Sequence, residues 1–249
     1  MFNKLIKKLK MKKLVFPLLG LLFLCMSGCM DTGDNIQSYE YVPAVVGYSN
    51  DFQPTLITSI GTFLAPELQS VLFTELYEGE TILTSFYVNY DLPTSSEYYT
   101  AYNVLYGKVE KGWAYSTSEG QTTGGYDVPI EDMALYGGVG NIWFFIFRHT
   151  APSDQSFVYE MTYNSNKTDD VPIVYIRAKY DGQQASGTST TVDYPYAFDM
   201  YYFFSTFKDA ENRIKFKIKY KTGVDEDDND QYSDYYDAQL GAIIDIQIE

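Results

Sequence analysis

This 249-residue chain has one histidine and two cysteines. So few soft ligands exclude a Cys/His zinc framework, and two thiols cannot build a disulfide scaffold. There is no Gly-x-Ser-x-Gly stretch and no His-paired cysteine, so the usual serine and thiol nucleophiles have no setting here. Cations are scarce as well. The chain carries 18 Lys and Arg against 33 Asp and Glu, a formal charge of −15. That balance argues against nucleic acid as a partner, because phosphate binding needs cations to displace counterions. Helical periodicity is rare. Aromatic side chains, in contrast, make up 17% of the chain, with 25 Tyr, 16 Phe and 2 Trp. Rings in that number bury enough area to offset ordering entropy, so the chain is folded, acidic and rich in β-structure.

The first residues are the exception to the shortage of cations. Lys4, Lys7, Lys8, Lys10, Lys12 and Lys13 precede an apolar run from Leu14 to Met26, followed by Ser27, Gly28 and Cys29. A basic start, a short apolar core and small residues describe a secretory signal peptide, and Met11 offers an alternative start. The run is short for a membrane span, which takes about 20 residues. Met26-Ser27-Gly28-Cys29 resembles a bacterial lipobox, in which the chain is cut before the Cys and the thiol carries diacylglycerol. Such a cut removes six of the 18 basic residues and no acid, leaving 12 against 33 and a charge of −21 over residues 29–249. It leaves one cysteine, which is lipidated, so packing alone must hold the mature fold. The expectation is an outer-membrane, lipid-anchored protein facing the periplasm or the cell surface, with residues 29–40 as a flexible tether. Asp31 and Asp34 resemble the acidic stretch that sends some lipoproteins to the surface.

The rest divides into two groups of strands. Residues 41–111 read as a five-stranded barrel of OB type. Tyr41–Tyr48, Thr55–Leu64, Thr81–Tyr90 and Tyr98–Val109 are its strand segments, with a bend at Gly61. Between the third and fourth strands, Leu68, Val71, Leu72 and Leu76 predict one face of a short helix opened by Pro66 and closed by Gly79. Residues 112–141 are glycine-rich and read as a connection with one short strand near Trp113–Thr117. Residues 142–249 read as an antiparallel β-sandwich, broadly immunoglobulin-like. Its expected strands are Ile142–Phe147, Phe157–Tyr163, Ile173–Tyr180, Ala197–Phe204, Ile214–Tyr220 and Ala242–Ile248.

The layout resembles the NigD-like lipoprotein family of Bacteroidota. The lipobox at Cys29, Thr62–Pro66, the segment Leu76–Tyr90, Tyr102–Val109, Val174–Gly182 and Ala197–Asp199 carry the resemblance. Where relatives have Arg-His-Asn, this chain has Arg177-Ala178-Lys179. The resemblance implies an N-terminal OB-like barrel, a C-terminal β-sandwich and no established catalytic activity.

Few constellations point to chemistry. His149 ends an apolar strand and reads as a histidine bonded to backbone or solvent. Asp225, Asp227 and Asn229 have the one-three-five spacing of a calcium loop, but Asp230 replaces its glycine and Tyr236 its bidentate glutamate. Glu78/Glu80 and Glu131/Asp132 are carboxylate pairs without a visible partner for glycosidase work. In the pairs Tyr98-Tyr99, Tyr201-Tyr202 and Tyr235-Tyr236, strand alternation places one ring inside and one outside. The reading is a non-catalytic binding or interaction module, with no cofactor beyond the lipid on Cys29. Its partners are the membrane and an unidentified protein or glycan, not nucleic acid. A surface accessory that grips sugar or peptide with exposed Tyr and Trp113 is the alternative, and an envelope hydrolase ranks last.

Overall fold

The computed structural model describes residues 35–92, 98–118, 125–166, 171–183, 185–210, 213–227, 229–233 and 244–245. The lipobox, Cys29, Asp31, Asp34 and the Tyr235-Tyr236 pair lie outside them.

Five strands close a barrel. They are β1 (Ile36–Tyr48), β2 (Pro54–Thr58), β3 (Gly61–Leu64), β4 (Thr81–Asn89) and β5 (Tyr99–Lys108), in the order β1-β2-β3-β5-β4 with β4 returning to β1. Period-two alternation explains β4, where Ile82, Thr84, Phe86 and Val88 all point inward. These pack with Ala44, Val46, Leu56, Phe63 and Ala101. Gly79, at φ +80°, supplies the left-handed turn into β4 and donates its N–H to Val46 O.

Two expectations change here. The helix predicted from Pro66 to Leu76 shortens to a 3-10 turn over Pro66–Ser70. Leu68, Leu72 and Leu76 are nevertheless buried, so the apolar spacing plugs the barrel end through turns rather than a helix. Ile36–Glu40, expected in the tether, form the start of β1 and pair with β4, Ile36 opposite Asn89.

The second module is a curled eight-stranded sheet. Its strands are β6 (Glu110–Ser116), β7 (Asp132–Val139), β8 (Ile142–Ala151), β9 (Phe157–Tyr163), β10 (Ile173–Tyr180), β11 (Thr190–Asp199), β13 (Lys217–Val224) and β14 (Asp230–Tyr232). They run β14-β13-β10-β9-β6-β11-β8-β7, and a short pair, β12 (Arg213–Ile214) with β15 (Ile244–Asp245), stands apart. The fold is therefore all-β, an OB-like barrel followed by a β-sandwich. The expected all-antiparallel pairing gives way at three joints, because β11/β6, β6/β9 and β10/β13 are parallel. Residues 112–141 are not only a connection: β6 lies at the centre of this sheet and β7 at its edge.

Of the expected strand Ala197–Phe204 only Ala197–Asp199 is strand, as the end of β11. Tyr201–Phe207 form the helix α1, which turns Phe203 and Phe204 into the core. Tyr201 and Tyr202 are therefore both exposed, contrary to the inside-outside expectation. The predicted strand Ile214–Tyr220 is split at Lys215 and Phe216, yet Ile214 and Ile218 stay buried.

The sheet's inner face carries Tyr159, Met161, Val174, Ile176, Phe145, Phe147 and Phe198. Its other face meets the barrel through Phe144, Ala197 and Val139 against Val45 and Val109. At that seam β7 bulges at Gly137, φ +155°, next to Pro43. No helix of the described residues is long and apolar enough to cross a membrane.

Candidate functional site

The polar face of β6, β9, β10 and β13 assembles the richest chemistry. Register sets it: Tyr115 lies opposite Thr162, Thr162 opposite Tyr175, and Tyr175 opposite Lys219. One step along the strands, Glu160 lies opposite Arg177. Alternate residues share a face, so Trp113 and Tyr115, Glu160 and Thr162, Tyr175, Arg177 and Lys179, and Lys217, Lys219 and Lys221 all stand on this side.

Arg177 is fully buried there, at 0% exposure. Its guanidinium lies 3.8 Å from Glu160 Oε1 and 3.3 Å from Asp230 Oδ2. Lys221, at 1% exposure, places Nζ 2.6 Å from Asp230 Oδ1 and 3.0 Å from Asp127 Oδ1. Asp230 thus joins two buried cations and ties β14 to β10 and β13. Tyrosine rings cover the network. Tyr126 lies over both the Arg177 guanidinium, 6.0 Å from its centroid, and Lys179 Nζ, 4.8 Å away. Tyr175 meets Tyr232 edge-on at 5.4 Å. Burial, more than the partly opposing Arg177 charge, pushes the Tyr232 hydroxyl up to about 12.

Tyr115 connects this buried layer to solvent. Its hydroxyl donates to Glu160 Oε2, and burial and that carboxylate together raise its pKa well above the usual tyrosine range. The ring is therefore held in one orientation while 43% of the residue stays exposed. Trp113, two residues earlier on the same face, is 63% exposed. The arrangement sets an exposed Trp113 beside a Tyr115 held by an ionic layer, suited to stacking on a flat apolar ligand face.

The other sequence candidates lie elsewhere. His149 is buried in the core, stacked on Phe157 at 4.1 Å. Its Nδ1 lies 2.8 Å from the Pro129 carbonyl and its Nε2 lies 2.8 Å from the Tyr159 hydroxyl. A carbonyl only accepts, so Nδ1 carries the proton and Nε2 accepts from Tyr159. Burial holds this imidazole below its ordinary range, and so neutral. Its bond to backbone is as expected, and the tyrosine partner is an addition.

The Asp225, Asp227 and Asn229 segment is the turn between β13 and β14. Asp225 Oδ1 accepts the N–H groups of Asp227 and Asn229, each at 2.9 Å, which lowers its pKa. That carboxylate is engaged by its own loop as an Asx turn. Among the described residues no group of three or more His, Cys, Asp or Glu gathers at metal-binding distance. Glu80 pairs with Lys108 at 2.8 Å, and Asp132 lies 3.8 Å from Arg148. Tyr98 is half-buried and Tyr99 exposed.

Sequence reasoning singled out Trp113 but missed the ion network beneath it. A signal existed: β9 and β10 have perfect apolar alternation on one face and carry Glu160, Arg177 and Lys179 on the other. Which of those charges meet is a matter of register, which the sequence does not display.

No protein-family model and no curated protein matches this sequence. Solved structures do match it. An uncharacterised protein from Parabacteroides merdae is 18% identical, with 80% of this chain and 96% of that one covered at a TM-score of 0.62. A protein of unknown function from Bacteroides vulgatus is 15% identical over 80% and 90% of the two chains, at 0.50. A NigD-like immunity protein from Bacteroides caccae is 14% identical over 78% and 90%, at 0.43. The likeness is one of fold: an OB-like barrel joined to a β-sandwich is an architecture this chain shares with Bacteroidota proteins.

Proposed function

We propose that this chain is a NigD-like envelope lipoprotein, anchored through the acylated thiol of Cys29 to the outer membrane. In this reading it is a non-catalytic binding module whose contact surface is the Trp113–Tyr115 face. The observation that carries the binding role is an exposed tryptophan beside a tyrosine that a buried carboxylate holds in place. Exposed large rings that are also fixed lose little entropy on contact, which favours recognition over a merely structural role.

The anchor rests on the basic leader, the short apolar run and Met26-Ser27-Gly28-Cys29. Two or more acyl chains, at about 0.8 kcal/mol per buried methylene, make a durable attachment. Because β1 begins at Ile36, only residues 30–35 separate Cys29 from the barrel. Six residues reach at most about 21 Å, so the barrel stays close to the bilayer.

Cys29→Ala should move the protein from the membrane to the soluble fraction, and labelled palmitate should enter the wild type alone. Equal labelling of both would overturn the anchor.

A further inference from the structure

The chain enters the barrel at one end, and strand register places three segments there. β1 starts with Ile36 opposite Asn89, at the end of β4. β5 starts at the same end, and its pairing of Tyr99 with Phe63 brings the β2–β3 turn at Ser59–Ile60 to this rim. Three aliphatic side chains on separate segments are exposed here: Ile36 and Ile60, each at 52%, and Leu92 at 60%. Tyr99, edge-on to Tyr90 at 4.7 Å, is exposed beside them. Further along the outer wall Tyr87 stands opposite Tyr102, and both are exposed. Charge is scarce. Among the described residues 35–38, 58–62, 88–92 and 98–101 the only Asp, Glu, Lys or Arg is Asp91, and its carboxylate accepts the Asn35 N–H at 2.8 Å. The opposite end carries Asp51, Glu78 and Glu80, and there β5 runs on into β6 of the sheet module.

We infer that the Ile36 end of the barrel sits against the lipid bilayer, with Ile36, Ile60 and Leu92 entering its interface and the tyrosines at headgroup level. The inference rests on the Cys29 anchor proposed above and adds the orientation of the molecule on it. Residues 30–35 hold this end within about 21 Å of the acylated thiol. The bilayer surface is therefore always in reach, whereas a free partner must be met by diffusion. Aliphatic groups without neighbouring charge gain from leaving water. Tyrosine, apolar in its ring and polar at its tip, favours the membrane interface. A mature chain of charge −21 is repelled by anionic headgroups, and of the two barrel ends this one has the fewer acids among its described residues. Val45, at the seam with the sheet module, lies nine residues beyond Ile36 on β1, about 30 Å at full extension. The sheet module, with Trp113 and Tyr115, thus stands away from the membrane.

The test uses the acylated lipoprotein reconstituted in vesicles of phosphatidylethanolamine and phosphatidylglycerol. The acyl chain blocks Cys29, so Ile60→Cys, Leu92→Cys and Phe52→Cys each offer one free thiol for an environment-sensitive fluorophore. Phe52, 81% exposed between β1 and β2, marks the opposite end. Lipids carrying a nitroxide near the headgroup should quench the labels at 60 and 92 at least about threefold more than the label at 52. Equal quenching at all three positions, in protein that floats with the vesicles, overturns the orientation and leaves the anchor standing. Protein that fails to float with the vesicles overturns the anchor and the orientation with it. In a Cys29→Ala background without lipid, the labels at 60 and 92 should be as exposed to water as the label at 52. Shielding of both there, with a doubled mass in sedimentation, assigns this end to a second copy of the chain and overturns the bilayer contact.

Discussion

The two modules hide polar groups in different ways. Among the described residues, the barrel's buried polar side chains are all threonines: Thr55, Thr58, Thr81, Thr84 and Thr100. Three of these donate to carbonyls of their own barrel or its rim, Thr58 to Gly61, Thr81 to Val109 and Thr84 to Leu105. The sheet module buries His149, Glu160, Arg177 and Lys221, groups that carry or can acquire charge. A closed barrel has one interior and one exterior, so alternation alone sorts its residues. A curled sheet has a second face, partly covered by the barrel and partly by a tyrosine-roofed ionic layer. That layer is expensive to desolvate and gives little net stability when complete, but removing one member leaves uncompensated charge. Its retention fits a role in positioning Tyr115 rather than in holding the fold.

The sharpest way to break the comparison is to delete one ion. Arg177→Ala should destabilise the sheet module by about 3–5 kcal/mol, since buried Glu160 loses its guanidinium and Asp230 one of its two cations. Thr84→Val in the barrel should lose only about 1 kcal/mol, one hydrogen bond. Both tryptophans, Trp113 and Trp143, lie in the sheet module, so indole emission during urea unfolding reports that module, and far-UV circular dichroism, which sees both modules, reads the Thr84→Val loss. A loss in Arg177→Ala no larger than that of Thr84→Val would show that the buried charges are dispensable.

Acid should separate the modules next. Burial lowers the His149 pKa in the folded state, so below about pH 6.5 the unfolded chain binds a proton that the folded chain does not. Stability is complete above that value and is lost as pH falls toward the lower folded value. The indole-monitored midpoint should therefore drop on going from neutral to mildly acidic buffer, and His149→Gln should flatten the slope. An unchanged slope in the variant would assign the dependence to the carboxylates instead.

The smallest effect concerns Trp113. Trp113→Ala removes an exposed ring and should shift stability by no more than about 0.5 kcal/mol. A larger loss would mean that Trp113 is a packing residue and would weaken its assignment to recognition.

Legibility in the sequence followed the strength of each pattern. β4, β9 and β10 are plain because one face of each is apolar, with Thr84 the single exception. The start of β1 was hidden because Ile36–Glu40 are mostly exposed and show no alternation, although β4 pairs with them. The glycines that made 112–141 look like a connection include Gly137, which shapes a bulge inside β7. Tyr201–Phe204 is a short apolar run that suits strand or helix equally, and only the packing of Phe203 and Phe204 under the sheet selects the helix. Trp113 was recognised as a candidate surface ring, but Glu160, Arg177, Asp230 and Lys221 come from four separate strands and had no local signature as a set.

Composition and periodicity sufficed for an acidic, all-β chain in two groups of strands, because these depend only on residue type and on the two-residue repeat of extended backbone. Tertiary structure decided the parallel joints, the helix after Asp199 and the meeting of Arg177 with Glu160 and Asp230. Those outcomes depend on which strands lie side by side and in what register, and that is settled by burying both modules' apolar faces at once rather than by any local stretch of chain.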